Sequence, residues 1–427
     1  MQIAQLYSIF LEYPSIQTDT RKLQSGDIFF ALKGDNFNGN LFAKQALEKG
    51  AAYVIVDEEP GFTDKRIITT TDVLTTLQLL AKHHREQFNI PFIAITGSNG
   101  KTTTKELIHE VLTTSYKTYT TKGNLNNHIG IPLTILSVKK DAAIAVIEMG
   151  ANHQKEIQGY CEYTKPTHGL ITNVGKAHLE GFGGEEGVRK GKGELFDYLR
   201  ANKGTAFIFH DFDYLLEMSS GIDNIISYGT KNADIIGNAL QNENEYLQVV
   251  FEKGTSIKKI NTNLVGTYNL PNVLAAVTLG KYFTVDDEKI KTALENYVPS
   301  NSRSQLIEKD SNKIILDAYN ANPSSMKAAI ENFVKMKADN KILLLGGMME
   351  LGYESVKEHQ SIINLIQSYG GWKQVVLVGG DYNKTTNPFI NFSNAAEAKQ
   401  WFQQQHFSNA TILVKGSRSM QMEKVLE

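Results

Sequence analysis

Cysteine is nearly absent from this 427-residue chain, with Cys161 as its single example. No intramolecular disulfide can form and no cysteine zinc cluster can be built, which fits a reducing compartment. Charge of one sign is missing as well: 44 Lys and Arg stand against 46 Asp and Glu, a net charge of -2. No global positive field exists to hold a nucleic acid or an anionic membrane. No apolar run approaches the roughly eighteen residues of a membrane span, and the opening MQIAQLYSIFLEYP carries Glu12 and no basic region. The expectation is a cytoplasmic protein with no nucleic-acid and no membrane partner. Repeats of solenoid period and low-complexity tracts are also lacking. What remains is 41% hydrophobic and 21% charged, ordinary for a folded protein, and long enough for about three domains of roughly 150 residues.

The pattern along the chain is α/β. Residues 27–32, 51–57 and 66–70 read as strands around helical stretches at 40–49 and 72–88, giving a small α/β N-terminal domain over 1–89. The break NIP at 89–91 precedes the buried-type strand FIAIT, and Pro91 is a poor helix member. A second domain, 90–299, alternates strands (142–148, 168–173, 204–210) with helices (102–114, 184–200), the pattern of a P-loop-type, mostly parallel sheet. Shorter strand pieces at 246–260 and a helix over 270–282 close it, and YVPSNSR at 297–303 has the chemistry of a linker. Over 300–427, IILDA, KILLLG, QVVLVG and TILVKG are apolar strands spaced by helical stretches, the layout of a Rossmann-like domain.

The sharpest local signal is FIAITGSNGKTTTKELI at 92–108. A β-branched strand runs into Gly97, Asn99, Gly100, Lys101 and Thr102, and a helix follows. Glycines let backbone N–H groups turn toward an anion, the helix start adds partial positive charge, Lys101 supplies an ammonium and Thr102 a hydroxyl for magnesium. The loop is two residues shorter than the common G-x-x-x-x-G-K-[ST] form; the alternative is a glycine turn with a solvated lysine. Two further strand ends offer metal ligands. AIAVIEMGAN puts Glu148 at the end of a very apolar strand, and GLITNVGKAHLEGFG puts His178 just past the next. In a doubly wound sheet ligands gather at such carboxyl ends. A capping carboxylate and a polar loop histidine are the plainer readings. Lys192, in GVRKGKGELFDYL, reads from its residues alone as one solvated lysine beside Arg189 and Lys190.

TGSNGKTTTK, GNLNNHIGIPLTIL, IEMGAN, TNVGKAHLEGFG, KGEL, NLPNVLAA, DAYNANPSSM and VKGSRSM together resemble the successive signatures of the Mur ligases, the ATP-dependent amide-bond ligases of peptidoglycan precursor synthesis. The resemblance runs from about residue 18 to the carboxyl end. TDTRKLQSGDIFFALKG, GNLNN and DAYNANPSSM are most similar to the branch that adds D-alanyl-D-alanine to UDP-N-acetylmuramoyl-tripeptide. A folylpolyglutamate-type ligase would share the central fold and phosphate loop but lacks the first of these blocks, and another amino-acid-adding member of the family is the nearer alternative.

The resemblance implies ATP and two magnesium ions. Gly97, Asn99, Gly100, Lys101, Thr102 and Thr103 would form the phosphate loop, with Lys101 and Thr102 at the terminal phosphates and Glu148 a second ligand of the Thr102 ion. His178 and a carbamylated Lys192 would serve the other ion, because a carbamate turns a cation into an anionic oxygen ligand. Asn269 and Asn272 would flank the adenine, and Arg303 with Asp317 would reach phosphates and ribose. Asn126 and Asn127 would line the sugar-peptide channel; Asp19, Thr20 and Arg21 would belong to the part holding the UDP end. Tyr319, Asn320, Asn322 and Ser325 would sit near the incoming dipeptide. Two departures stand out: Tyr268 replaces a histidine common in relatives, and Asn38-Gly39-Asn40 replaces Asp-Gly-His. The expected state is a monomer.

Overall fold

The computed structural model describes residues 2–240, 245–300 and 302–427; Asn301 of the expected linker lies outside them. The chain forms two compact units, one of residues 1–95, 116–150 and 156–169, the other of 96–115, 151–155 and 170–427.

In the first unit, strands Ile16–Gln17, Ile28–Phe30, Tyr53–Val56 and Ile67–Thr69 pair in that order, all parallel. Their residues are apolar on both faces, as a covered parallel sheet requires, and Ile28, Phe30, Val54, Ile55 and Val56 are fully buried. Helix Ala43–Glu48 closes one face by packing Ala43, Ala46 and Leu47 on Phe29, Val54 and Val56. The expected helix at 40–49 begins instead as a tight turn over Gly39–Phe42, because the Asn38 side-chain Oδ1 accepts the Asn40 N–H at 3.0 Å and bends the entry. A second set of strands, Phe92–Thr96, Ile144–Glu148 and Thr118–Thr120, is parallel too.

Helix Val73–Arg85 ties this unit together. Asp72 caps its start by accepting the Thr75 N–H at 2.6 Å. At its end Arg85 is buried, donating from Nε to Thr164 O and from Nη2 to Lys165 O at 2.8 and 3.0 Å. The guanidinium thereby satisfies carbonyls left open where helix Glu156–Thr164 stops, and it also lies 4.0 Å over the Phe92 ring. His84 is buried beside it, with Nε2 2.8 Å from Val138 O and Nδ1 3.1 Å from the Tyr7 hydroxyl.

The second unit carries strands Thr205–Phe209, Asn224–Gly229 and Ile235–Ala239 in parallel, followed by the antiparallel pair Tyr246–Lys253 and Lys259–Val265. The short strand pieces expected at 246–260 are thus a hairpin, which departs from the parallel rule because Gly254, at φ +86°, lets the chain turn back. Helices Lys101–Thr113 and Leu270–Tyr282 pack closely; a Cβ at Gly280 would lie 2.7 Å from Val111 Cγ1. The last sheet runs Gln305–Lys309, Asn312–Asp317, Thr411–Lys415, Lys341–Gly346, Gln374–Val378, Ile390–Phe392, parallel except for its first strand. All four apolar strands read from sequence are in it. Ile314, Leu316, Ile342, Leu344, Val376, Val378, Ile412 and Val414 form its core, each worth about 1.5–3 kcal/mol of burial.

Histidines withdrawn from water make stability depend on pH. Loss of water pushes His84 down and His168 down to about 4 from an ordinary 6.5. A depressed histidine contributes fully above the unfolded value and loses that contribution as pH falls from about 6.5 toward 4, where the unfolded chain takes up the proton first. For His168 the loss by pH 5 is about 2 kcal/mol. The urea midpoint is therefore expected to fall between pH 7.5 and pH 5, and His168→Gln to flatten that fall; an unchanged slope in the variant would show that another group sets it.

Candidate functional site

Strand Phe92–Thr96 is entirely buried, so its end delivers a rigid turn. Gly97 follows at φ +140°, and a Cβ there would stand 2.1 Å from Thr172 Oγ1: only glycine lets the loop press onto the neighbouring strand end. The loop is pinned there. Ser98 N–H donates to Asn173 O at 2.9 Å, Asn99 N–H to Asn173 Oδ1 at 3.0 Å, and Gly175 N–H to Ser98 Oγ at 2.9 Å. Thr172 Oγ1 and Asn173 Nδ2 both donate to Asn99 O, at 2.6 and 3.1 Å. Gly100, left-handed at φ +78°, turns the chain into helix Lys101–Thr113. Lys101 Nζ donates to Gly97 O at 2.6 Å and Ser98 O at 3.3 Å, so the ammonium lies across its own loop. Thr102 is buried in the helix's first turn, and Thr103 follows it. The result is a helix start held in place by the neighbouring strand end, with one lysine beside it, an arrangement suited to a phosphate chain.

Asn269 and Asn272 lie behind this loop, 3% and 7% exposed. Asn272 Oδ1 accepts the Thr104 hydroxyl at 3.0 Å, Asn272 Nδ2 donates to Asn269 Oδ1 at 2.9 Å, and Asn269 Nδ2 donates to Val265 O at 2.9 Å. A Cβ on Gly100 would come within 2.8 Å of Asn272 Oδ1. These amides brace the glycine loop. Tyr268 places its hydroxyl 2.9 Å from Ser304 Oγ.

The DAYNANPSSM segment meets the same loop. Asn322 caps helix Pro323–Lys335: its Oδ1 accepts the Ser325 N–H at 2.9 Å while Ser325 Oγ accepts the Asn322 N–H at 3.1 Å. Its other amide atom, Nδ2, donates to Asn99 Oδ1 at 2.8 Å. Asp317 accepts from Lys415 Nζ at 2.6 Å and from Ser304 N–H at 3.2 Å; Lys415 is buried and also donates to Asn320 O at 3.2 Å. Arg303 stacks 3.6 Å above the Tyr319 ring.

His178 starts the short helix Leu179–Phe182 at φ +53°, and its Nδ1 lies 2.5 Å from Glu350 Oε2. The imidazole beside it holds the Glu350 carboxyl below the usual range, although burial opposes that. Lys192 overturns the plain sequence reading of a solvated lysine. It is 1% exposed, donates to Ala151 O at 2.9 Å and lies 4.9 Å over the Phe182 ring. The cause is glycine spacing in helix Glu185–Ala201. A Cβ at Gly187 would stand 1.8 Å from Phe182 O, and one at Gly191 2.4 Å from Phe182 Cε1, so the helix lies flush on the His178 segment and encloses Lys192.

The remaining sequence candidates lie in the first unit. Glu148 is 1% exposed, and Asn126 Nδ2 donates to its Oε1 at 2.8 Å. Asn127 Oδ1 accepts the Gly130 N–H at 2.9 Å at the start of helix Gly130–Leu136, a capping duty. Asp19 and Arg21 pair, Nη2 to Oδ2 at 2.8 Å, which holds the Asp19 carboxyl down to about 2; Thr20 O accepts from Lys49 Nζ at 2.8 Å. Asn40 Nδ2 donates to Asn38 Oδ1 and to Asp57 Oδ1, at 2.9 and 2.8 Å. Among the described residues no three His, Cys, Asp or Glu side chains are grouped to hold a metal. Sequence reasoning missed Thr172, Asn173, Glu350, Glu358 and Lys415. The first two were within reach, because TN ends an apolar strand just as TG does at 96–97.

Three family models match the chain: "Mur ligase family, catalytic domain" at residues 12–86, "Mur ligase middle domain" at 95–280 and "Mur ligase, glutamate ligase domain" at 302–418. The UDP-N-acetylmuramoyl-tripeptide--D-alanyl-D-alanine ligase of Bacillus subtilis is 33% identical, over 96% of this chain and 92% of its own. The crystal structure of MurF from Acinetobacter baumannii is similar with a TM-score of 0.86 at 30% identity, covering 96% of this chain and 92% of that one. MurF ligase from Thermotoga maritima in complex with ADP gives a TM-score of 0.87 at 25% identity, with 97% of each chain covered.

Gly97→Ala is expected to weaken binding of ADP by about tenfold or more, since the added carbon forces the loop off Thr172 and costs more than about 2 kcal/mol. Gly159→Ala, where nothing lies within 4 Å, should leave binding unchanged. Titration calorimetry on both proteins checks this; equal affinities would detach the loop from nucleotide binding.

Proposed function

The chain belongs to the Mur ligase family and is an amide-bond ligase, and from that premise we propose that it joins D-alanyl-D-alanine to UDP-N-acetylmuramoyl-tripeptide at the expense of ATP. What supports this reading above all is the 2.8 Å link between Asn99 in the phosphate loop and Asn322 at the cap of helix Pro323–Lys335. It puts a phosphate cradle next to the start of a second helix, whose positive dipole end suits the carboxylate of a small amine substrate. A three-domain division at 1–89, 90–299 and 300–427, a cytoplasmic location and a monomeric state are parts of the same proposal.

The chemistry follows from the substrates. A carboxylate is a poor acyl donor because its leaving group would be oxide. Transfer of the ATP γ-phosphoryl to the tripeptide carboxylate gives an acyl phosphate and ADP. The dipeptide amine then attacks the acyl carbon, loses its proton, and expels phosphate. Lys101 would leave the carbonyls of Gly97 and Ser98 for the phosphates and stabilise charge on the transferring group. Asn269 and Asn272 act from behind, holding Gly100 and the helix start in place. Asn322 and Ser325 take up a positioning role through their cap, with Ser324, Tyr319 and Asn320 left to meet the dipeptide. Arg303 and Asp317 are proposed for the nucleotide, Asn126 and Asn127 for the sugar-peptide, and Asp19, Thr20 and Arg21 for the UDP end.

Magnesium fits the donors. The Thr102 hydroxyl and the buried Glu148 carboxylate are hard oxygen donors, and magnesium completes its shell with phosphate oxygens and water rather than with an all-protein cage. We propose Thr102, Glu148, His178 and the carbamate of Lys192 as magnesium ligands; bound metal would neutralise phosphate charge. For Lys192 the supporting observation is burial. The buried side chain lies on the helix that packs flush on the His178 segment, where a carbamate would supply a hard anionic oxygen to a cation.

Lys101→Ala should fold normally and lose amide formation by a factor of about 10² or more, measured as ADP release that requires both tripeptide and amine. Retention of more than about a tenth of the rate would sink the phosphate-loop role. Lys192→Ala is expected to be nearly inactive and partly restored by short-chain carboxylic acids; full activity of that variant would overturn the carbamate. Comparing amines by kcat/KM should favour D-alanyl-D-alanine over free D-alanine by about 10² or more. Preference for L-lysine, meso-diaminopimelate or D-glutamate with a shorter UDP precursor would move the protein to an earlier step.

A further inference from the structure

Lys176 holds three elements at once. Its backbone N–H donates to Ser324 Oγ at 3.0 Å, and its ammonium donates to Glu358 Oε1 at 2.7 Å and lies 3.5 Å from Glu185 Oε1. Ser324 is in the first turn of helix Pro323–Lys335, Glu358 is on helix Ser355–Tyr369, and Glu185 opens the helix that carries Lys192. Glu358 is 5% exposed, so its carboxylate has given up water for this partner. One residue earlier, Gly175 donates its N–H to Ser98 Oγ of the phosphate loop, and a Cβ on it would come within 2.8 Å of Ser324 Oγ. Two residues later stands His178. An ammonium engaged by a buried carboxylate and lying near a second is not a free charge for phosphate, so a direct part in phosphoryl transfer does not account for it.

We propose that Lys176 is a positioning residue whose ion pair with Glu358 seats helices Pro323–Lys335 and Ser355–Tyr369 on the phosphate-loop side of the second unit. The seat fixes the distance from the phosphate cradle to the helix start that meets the amine, and so rests on the ligase reading above. Reaction rates are steep in such distances: an error of about 1 Å can cost about 10² in rate. Removing the ammonium alone leaves Glu358 buried with its charge uncompensated and pushes the helices off their seat. Removing both charges takes that penalty away. The pair therefore has a signature that a merely lost contact lacks.

The test uses the full chain with ATP, magnesium and both substrates. Lys176→Met should lower kcat by about tenfold or more while KM for ATP stays within about twofold. Lys176→Arg, which keeps the charge, should recover most of the rate. The double variant Lys176→Met/Glu358→Leu should be faster than Lys176→Met alone. Hydrogen exchange at the amides of helix Pro323–Lys335 should quicken in Lys176→Met and return toward the wild-type rate in Lys176→Arg. A kcat for Lys176→Met within about twofold of wild type, or losses in Lys176→Met and Glu358→Leu that multiply in the double variant, overturns the seat. The exchange readout needs no turnover. If wild type forms no amide while exchange responds to Lys176→Met, the ligase reading fails and the seat stands; if wild type ligates and neither exchange nor kcat moves, the seat alone fails.

Discussion

The site in the second unit depends on the contact between a loop with no side chain at Gly97 and the strand end Thr172-Asn173. Because the loop carries no Cβ there, Thr172 and Asn173 can reach its backbone and satisfy Ser98 N–H, Asn99 N–H and Asn99 O. Buried backbone groups that lack partners are costly, so this pairing is what allows an irregular turn to sit at the end of a fully buried strand. From that fixed turn follow the direction of helix Lys101–Thr113, the reach of Lys101 and the point at which Asn322 touches Asn99.

Around the turn the second unit uses amides and paired charges rather than apolar contact. Asn99, Asn173, Asn269, Asn272 and Asn322 each give both a donor and an acceptor, so every link fixes orientation as well as distance. Lys415 with Asp317 and Lys176 with Glu358 are buried or half-buried pairs. Pairs of this kind contribute little net stability but tolerate few alternative arrangements, because a wrong one leaves a charge without water or partner. That suits a site in which two helix starts must stay in register.

The glycine loop after Phe92–Thr96, the strand ends of Glu148 and His178 and the apolar strands of the last sheet could be read from local order, because strand, glycine turn and helix start are neighbours in sequence. Asn269 and Asn272 are placed at the adenine only by the resemblance, and the structure spends their side chains on Thr104, Val265 and each other. The resemblance places Asn322 and Ser325 near the dipeptide, and the structure adds that their side chains form a capping box at the start of helix Pro323–Lys335. The hairpin at 246–265 was blurred because strand content does not reveal strand direction.

Sequence by itself determined the class of fold, the apolar strands of the last sheet, the glycine turn into helix Lys101–Thr113 and the family, since each is written in short runs where period, glycine placement and residue type act on near neighbours. Tertiary structure alone decided which charges are buried and what they face. Lys192 looks solvated in GVRKGKGEL and is enclosed because Gly187 and Gly191 let its helix lie flush on Phe182. Lys176 meets Glu358 across 182 positions. Burial and ion pairing depend on what comes near from far along the chain, and on the dielectric that the packing creates there, and no local spacing encodes either.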